Sequence, residues 1–192
     1  MIATMSSATK ERLRPGGRRG RGQESGRAAG PALMAEHGRA ALTVPLIAAH
    51  AGVTPSTIYR RWGDLPELLA DVAVERLRPE SAPISTGDLR TDLQLWIDQF
   101  VDEMSSGPGR IMVRDVLAGG GDGPDTCCAY TQDQLQIILD QAERRGDPHP
   151  SIDAVMDEII SPMMYRIIFR GQTLRAAYVH ALIAACLARV AP

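Results

Sequence analysis

Lysine is almost missing from this 192-residue chain: Lys10 is the only one, and arginine supplies the rest of the fixed positive charge. Cysteine is scarce as well. Three residues, two of them adjacent (Cys127 and Cys128), leave no even disulfide framework, and the odd number suits a reducing cytosol. The N-terminus has no apolar leader-like segment. The longest apolar run, Ala181 to Ala188, is far shorter than the roughly 18 residues a membrane span needs. These absences predict a cytoplasmic chain without a membrane partner. No segment alternates in the strand manner and no internal repeat appears, so the expected fold class is all-α. His37, His50, His149 and His180 show no metal-ligand spacing, and Gly119 to Gly123 lacks the Lys-Ser/Thr of a phosphate loop. Asp102-Glu103 reads as a solvated helical face, and Cys127-Cys128 as a small buried pair at a helix start. No nucleophile elbow is present. The chain is therefore expected to be no enzyme and to hold no cofactor or metal; a polar, pKa-perturbed cluster in a pocket would argue for an all-α enzyme instead.

What is present is charge asymmetry. The formal net charge of -2 conceals ten Lys/Arg against three Asp/Glu in residues 1–62 and eleven against twenty in the remainder. A basic head that neutralises phosphates, joined to an acidic body, would show this split. Residues 1–26 are rich in Arg, Gly and Ser, and are expected to be a disordered basic arm. That arm either follows a minor groove or is a solvated tail.

Helix signals fill the rest. A short helix is expected over Pro31 to His37, stopped by Gly38. Thr43 can cap a helix to Ala51, Gly52 suits a tight turn, and Thr54 with Pro55 can open a second helix through Trp62. Asp64, Pro66 and Glu67 signal the next start, with Leu65, Leu68, Leu69, Val72 and Ala73 at helical spacing toward Leu77. Pro79, Ser81 and Pro83 mark a boundary near residue 80, giving a head over 27–79 and a body over 80–192. In the body, one apolar stripe runs from Leu89 to Met104. A shorter helix is expected over Ile111 to Leu117, and a long one from Asp125 or Thr126 to Arg145. Ile152 to Ile168 and Leu174 to Val190 complete the set.

Two short helices joined by a Gly-containing turn make a helix-turn-helix from Leu42 to Trp62. Pro55, Ser56, Thr57 and Arg60 lie where a recognition helix meets base edges, with Arg60 suited to bidentate guanine contact. Thr43, Thr54, Tyr59 and Arg61 lie where phosphates would be held. An ordinary helical hairpin with a solvated surface has the same spacing.

The order Ala-Leu-Thr-Val, Ile-Ala-Ala-His-Ala-Gly-Val and Ser-Thr-Ile-Tyr-Arg-Arg-Trp, followed by Leu68-Leu69, resembles bacterial regulators of the tetracycline-repressor type. The resemblance implies an N-terminal three-helix DNA-binding domain and a C-terminal helical domain that binds a small effector and dimerises. It implies double-stranded operator DNA and a second copy of the chain as partners, and a repressor released by its effector. It continues loosely through Glu158 to Ile168, where Pro162 matches a mid-helix proline of one common C-terminal type.

Two departures stand out. Leu65 occupies a position where many such proteins carry Lys, and Gly26, Arg27, Gly30 and Pro31 fall where the first helix should be long and amphipathic. Gly costs about 1 kcal/mol and Pro about 3 kcal/mol in a helix interior. A competing reading is therefore a dimeric ligand-binding or interaction protein whose head binds DNA poorly.

The apolar face including Ile159, Met163 and Ile167, with the small Ala177, Ala181, Ala184, Ala185 and Ala188, predicts a two-fold four-helix interface, or else the core of a monomer. Trp96, Phe100, Met104, Met112, Tyr130 and Met156 are the expected lining of an adaptable apolar pocket, or plain core.

Overall fold

The computed structural model describes Leu33 and residues 38–190. The expected arm over 1–26, and the first-helix region with Gly26, Arg27, Gly30, Pro31 and His37, lie outside the described residues. Among those described there are helices and no strands. They form two compact units that divide between Gly63 and Asp64.

The first unit holds a short 3-10 turn, Arg39–Ala41, then α1 (Val44–His50) and α2 (Pro55–Trp62). Thr43 stands extended before α1 and its hydroxyl accepts from the Leu46 amide at 3.3 Å, with Pro45 in the first turn where its missing N–H costs nothing. The turn after α1 needs Gly52, whose φ of +66° is the left-handed region that disfavours a Cβ. The Val53 amide donates back to Ala48 O at 2.9 Å and closes that turn. Leu33, Leu42, Val44, Ile47, Ala48 and Ile58 are buried, and these apolar side chains set one face of α1 and of α2 inward.

The second unit begins with α3 (Leu65–Leu77), capped by Asp64, whose carboxylate accepts from the Glu67 amide at 3.0 Å. There follow α4 (Leu89–Ser105), α5 (Gly107–Ala118), α6 (Gly123–Arg145), α7 (Ile152–Val155), a π-helical turn (Met156–Ile160), α8 (Ser161–Ile168) and α9 (Ala176–Ala188). Asp88 caps α4, Ser106 caps α5 and Ser151 caps α7 through side-chain oxygens. Gly146 closes α6 in the left-handed conformation. One core joins α4, α6, the π turn, α8 and α9 through Leu93, Ile97, Leu135, Ile138, Ile159 and Met163, among others. Against this set, α3 packs on α5 and α6.

In packing, α3 lies with the compact unit that begins at Asp64, because its buried face is filled by α5 and α6. Three expectations are corrected. Helix α5 starts at Gly107, ahead of Ile111, because Ser106 caps it and Gly109, lacking a Cβ, lets it lie against the end of α4, where a Cβ would collide with Glu103 O. Helix α6 starts at Gly123 with Pro124 in its first turn. Finally, Ile152 to Ile168 is not a uniform α-helix. Pro162 has no N–H and its ring crowds the carbonyl four residues back, so the helix widens to a π turn just before it. The Ser161 amide and its hydroxyl (2.9 Å) both donate to Met156 O.

Candidate nucleic-acid interface and ligand cavity

In the first unit, α2 turns Ile58 into the core and leaves Pro55, Ser56, Tyr59, Arg60 and Arg61 exposed, with Thr57 half-buried. Six of the eight expected base-reading and phosphate-holding residues thus share one helix. Thr43 and Thr54 stand exposed at the starts of α1 and α2. The Thr43 hydroxyl already accepts from Leu46 and keeps its own proton for an outside acceptor. Thr54 departs from expectation: it occupies the cap position of α2, yet its hydroxyl makes no cap bond. It lies instead 2.9 Å from the Ser56 hydroxyl and 3.0 Å from that of Thr57. This small hydroxyl cluster sits where the helix dipole favours an anion. The Arg61 guanidinium lies over the Trp62 ring, 5.1 Å from its centroid, which preorganises a flexible cation beside the helix end. Sequence reasoning missed both contacts, although Arg61-Trp62 adjacency is visible in the chain.

The second unit holds a cavity of about 820 Å³, a size within the usual range for small-molecule sites, about 300–1,000 Å³. Trp96, Phe100, Met104, Tyr130 and Met156 line it together; Met112 does not. Helix α5 turns Val113, Val116 and Leu117 to the wall, and Met112 lies outside that row. Trp96 and Phe100 stack with ring centroids 5.3 Å apart and 15° between planes. The connection from Arg78 to Ile84 forms part of the lining, a contribution that loop composition did not signal.

Asp92 was also missed. It is 1% exposed on the lining, and its Oδ1 accepts from the Thr86 amide at 2.6 Å and the Thr86 hydroxyl at 2.7 Å. Its signal was available: Asp92, Trp96 and Phe100 recur at intervals of four, so a carboxylate interrupts the apolar stripe of α4.

Cys127 and Cys128 do not form the expected buried pair. Cys127 is half-buried and Cys128 exposed, both on α6 and both on the cavity lining. Burial raises the Cys127 thiol above its ordinary range, with the neighbouring Cys128 adding to the effect. Cys186, buried in α9, is pushed up to about 11 by burial and by Glu158 beside it. Among the described residues no group of three or more His, Cys, Asp or Glu is arranged to hold a metal, and no helix is long and apolar enough to cross a membrane.

The expected dimer residues separate into two sets. Ile159, Met163 and Ile167 are fully buried in the protomer's own core, so they offer nothing to a second copy. Ala177, Ala181, Ala185 and Ala188 form an exposed ridge on α9, with Ala184 half-buried beside it. On α8 and just past its end, Tyr165 and Phe169 stand exposed and stack on each other, centroids 5.4 Å apart. These two aromatics had not been singled out.

Residues 27–72 match the family described as bacterial regulatory proteins, tetR family, and residues 83–186 match the tetracyclin repressor-like C-terminal domain. An uncharacterised HTH-type transcriptional regulator of Mycobacterium tuberculosis, Rv1556, is 32% identical over 146 residues, spanning 72% of this chain and 70% of the relative. AqdR of Rhodococcus erythropolis, an HTH-type transcriptional regulator, is 25% identical over 114 residues, covering 56% of this chain and 55% of its own. The fold is similar to that of the TetR family regulator SCO0332, with TM-score 0.65 and 24% identity over 88% of this chain and 97% of the other. A putative TetR-family regulator from Mesorhizobium loti shows TM-score 0.60 and 15% identity over 91% and 98% of the two chains. Exposed recognition-helix residues, an all-helical body and these matches agree: the chain belongs to the TetR family of DNA-binding, helix-turn-helix transcriptional regulators.

Proposed function

We propose that the protein is a cytoplasmic, homodimeric repressor that binds a palindromic operator and leaves it when a small effector occupies the cavity of the second unit. The observation that carries this reading is the exposed face of α2, where Ser56, Tyr59, Arg60 and Arg61 are free of the core that holds Ile58. Pro55, Ser56, Thr57 and Arg60 face base edges; Thr43, Thr54, Tyr59 and Arg61 hold phosphates.

Dimerisation uses the exposed ridge of α9 together with Tyr165 and Phe169. Two heads so joined would read half-sites about 34–36 Å apart. An effector that binds better to a wider-spaced state shifts the population away from DNA. The cavity, with its stacked aromatics and adaptable Met side chains, supports an effector of this kind.

Fluorescence anisotropy with DNA from upstream of the protein's own gene tests the reading. Saturable, salt-dependent binding is expected. Arg61→Ala should weaken binding to all sequences and reduce the salt slope by about one. Arg60→Ala should cost about 1–3 kcal/mol and relax preference at one base pair. Equal, unsaturable binding to every DNA by the unsubstituted protein would refute the assignment.

A further inference from the structure

The cavity has a polar wall and an apolar one, and neither offers a ligand a buried charge. Among its lining residues Asp92, Met104, Val116 and Ile160 are buried, and only Asp92 is ionisable. That carboxylate is spent elsewhere: Oδ1 accepts from Thr86 and Oδ2 pairs with Arg145 at 3.9 Å, both off the lining. The remaining charged lining residues, Arg76, Arg78, Glu80 and Glu103, are exposed, two of each sign. An ion taken into this space would lose its water without gaining a buried counter-charge, which is costly.

Helix α6 supplies the polar wall. Cys127, Tyr130, Thr131 and Gln134 line the cavity at i, i+3, i+4 and i+7, the spacing of one helical face, and all four are half-buried. The Thr131 hydroxyl donates within its own helix to Cys127 O at 3.3 Å. The Tyr130 hydroxyl and the Gln134 side-chain amide make no hydrogen bond to any described residue, so each can both donate to and accept from a ligand. Trp96 and Phe100 on α4 add a stacked aromatic pair, and Met156 and Met164 add adaptable apolar surface. From this juxtaposition we infer that the effector is an uncharged, flat aromatic compound bearing a hydroxyl or carbonyl oxygen. Its rings lie against Trp96 and Phe100, and its oxygen is held by Tyr130 and Gln134. The inference rests on the effector-cavity reading above and adds to it the chemical class that the cavity selects.

Four probes test it, titrated calorimetrically into the full-length protein at fixed ionic strength: 2-(2-naphthyl)ethanol, 2-(2-naphthyl)ethylamine, 2-naphthylacetate, and the saturated, non-flat 2-(decahydro-2-naphthyl)ethanol. The naphthyl alcohol should bind about tenfold or more tightly than the amine or the carboxylate, because it alone of the three enters without leaving an ion unpaired. It should bind about twofold or more tightly than the saturated alcohol, the lower end of what aromatic stacking adds to area burial. Tyr130→Phe and Gln134→Leu, made separately, should each weaken the naphthyl alcohol by about two- to tenfold, the loss of one hydrogen bond. If either ion or the saturated alcohol binds as well as the naphthyl alcohol, or if neither substitution weakens it, the inference is overturned while the cavity reading stands. If none of the four binds, both fall. Should a substitution unfold the protein, the ranking of the four probes by the unsubstituted chain decides alone.

Discussion

Replacing Phe169 by Ala should separate the proposed dimer without unfolding the protomer. Phe169 is 76% exposed in the single chain, and an aromatic side chain offers about 150–250 Å². Burying that exposed part against a second copy would remove about 150 Å² from water, worth about 4 kcal/mol at 25 cal/mol per Å². Alanine retains part of this contact, so the loss per copy is about 3 kcal/mol, and two-fold symmetry doubles it to about 6 kcal/mol. Neighbouring rings repack and such energies are not additive, so the dissociation constant should rise by at least about a hundredfold. Sedimentation velocity over a concentration series reads the shift directly. The protomer's thermal midpoint should barely move, because a substitution at an exposed site changes stability by about 0.5 kcal/mol or less. Met163→Ala gives the opposite pattern: Met163 is fully buried, and its truncation should cost the protomer about 2–5 kcal/mol. A Phe169→Ala protein that sediments as a dimer at the same concentrations as the unsubstituted chain would refute the assignment of this face.

Gly109→Ala should be among the most damaging single-carbon changes in the second unit, since the new Cβ would lie 2.0 Å from backbone oxygen Glu103 O; a thermal midpoint within a degree of the unsubstituted protein's would contradict the close α4–α5 packing. Asp88 has its carboxyl held below the usual 3.8, first by the Thr91 hydroxyl and then by the Thr91 amide. A depressed carboxyl stabilises the fold above its unfolded value and loses that contribution as pH falls through its folded value. Asp88→Ala should thus cost about 1 kcal/mol near neutral pH, with the deficit in thermal midpoint narrowing below pH 3.8; a constant deficit would count against the charged cap. Alkylation with iodoacetamide followed by peptide mass mapping should label exposed Cys128 first, with Cys127 slower and buried Cys186 last, because the raised thiols of the last two hold little thiolate. Equal rates at all three would show that the second unit is open in solution.

Local chemistry made much of this fold legible. Thr43, Asp64 and Ser151 announce helix starts because short polar side chains reach the first-turn amides, and all three do so. Gly52 and Gly146 announce a turn and a stop because the chain there enters the left-handed region. Partner choice was less legible. Periodicity shows that Ile159, Met163 and Ile167 face something apolar, but a core helix and a second subunit present the same pattern. The expected dimer face therefore included side chains that the protomer buries in its own core, whereas Tyr165 and Phe169 stand exposed. Pro79 and Pro83 mark a break in helix, whereas packing between α3, α5 and α6 decides which compact unit α3 joins. On the cavity wall, hydrophobic patterning found the aromatic and Met side chains but passed over Asp92, whose burial depends on Thr86 and on Arg145, far from it in the sequence.

The π turn before Pro162 acts as a gear tooth in the helical segment from Ile152 to Ile168. A π turn accommodates one residue more than an α-helical path would, and each α-helical residue turns the helix by about 100°. The extra residue therefore sets the angle at which everything after it emerges, including buried Met163 and Ile167 and exposed Tyr165 and Phe169. Removing any one residue from Met156–Ile160 would let the helix wind regularly and would swing those four side chains round the axis together. In relatives lacking a proline here, a one-residue gap at this turn would preserve the faces, whereas gapless counting would pair core positions with surface ones.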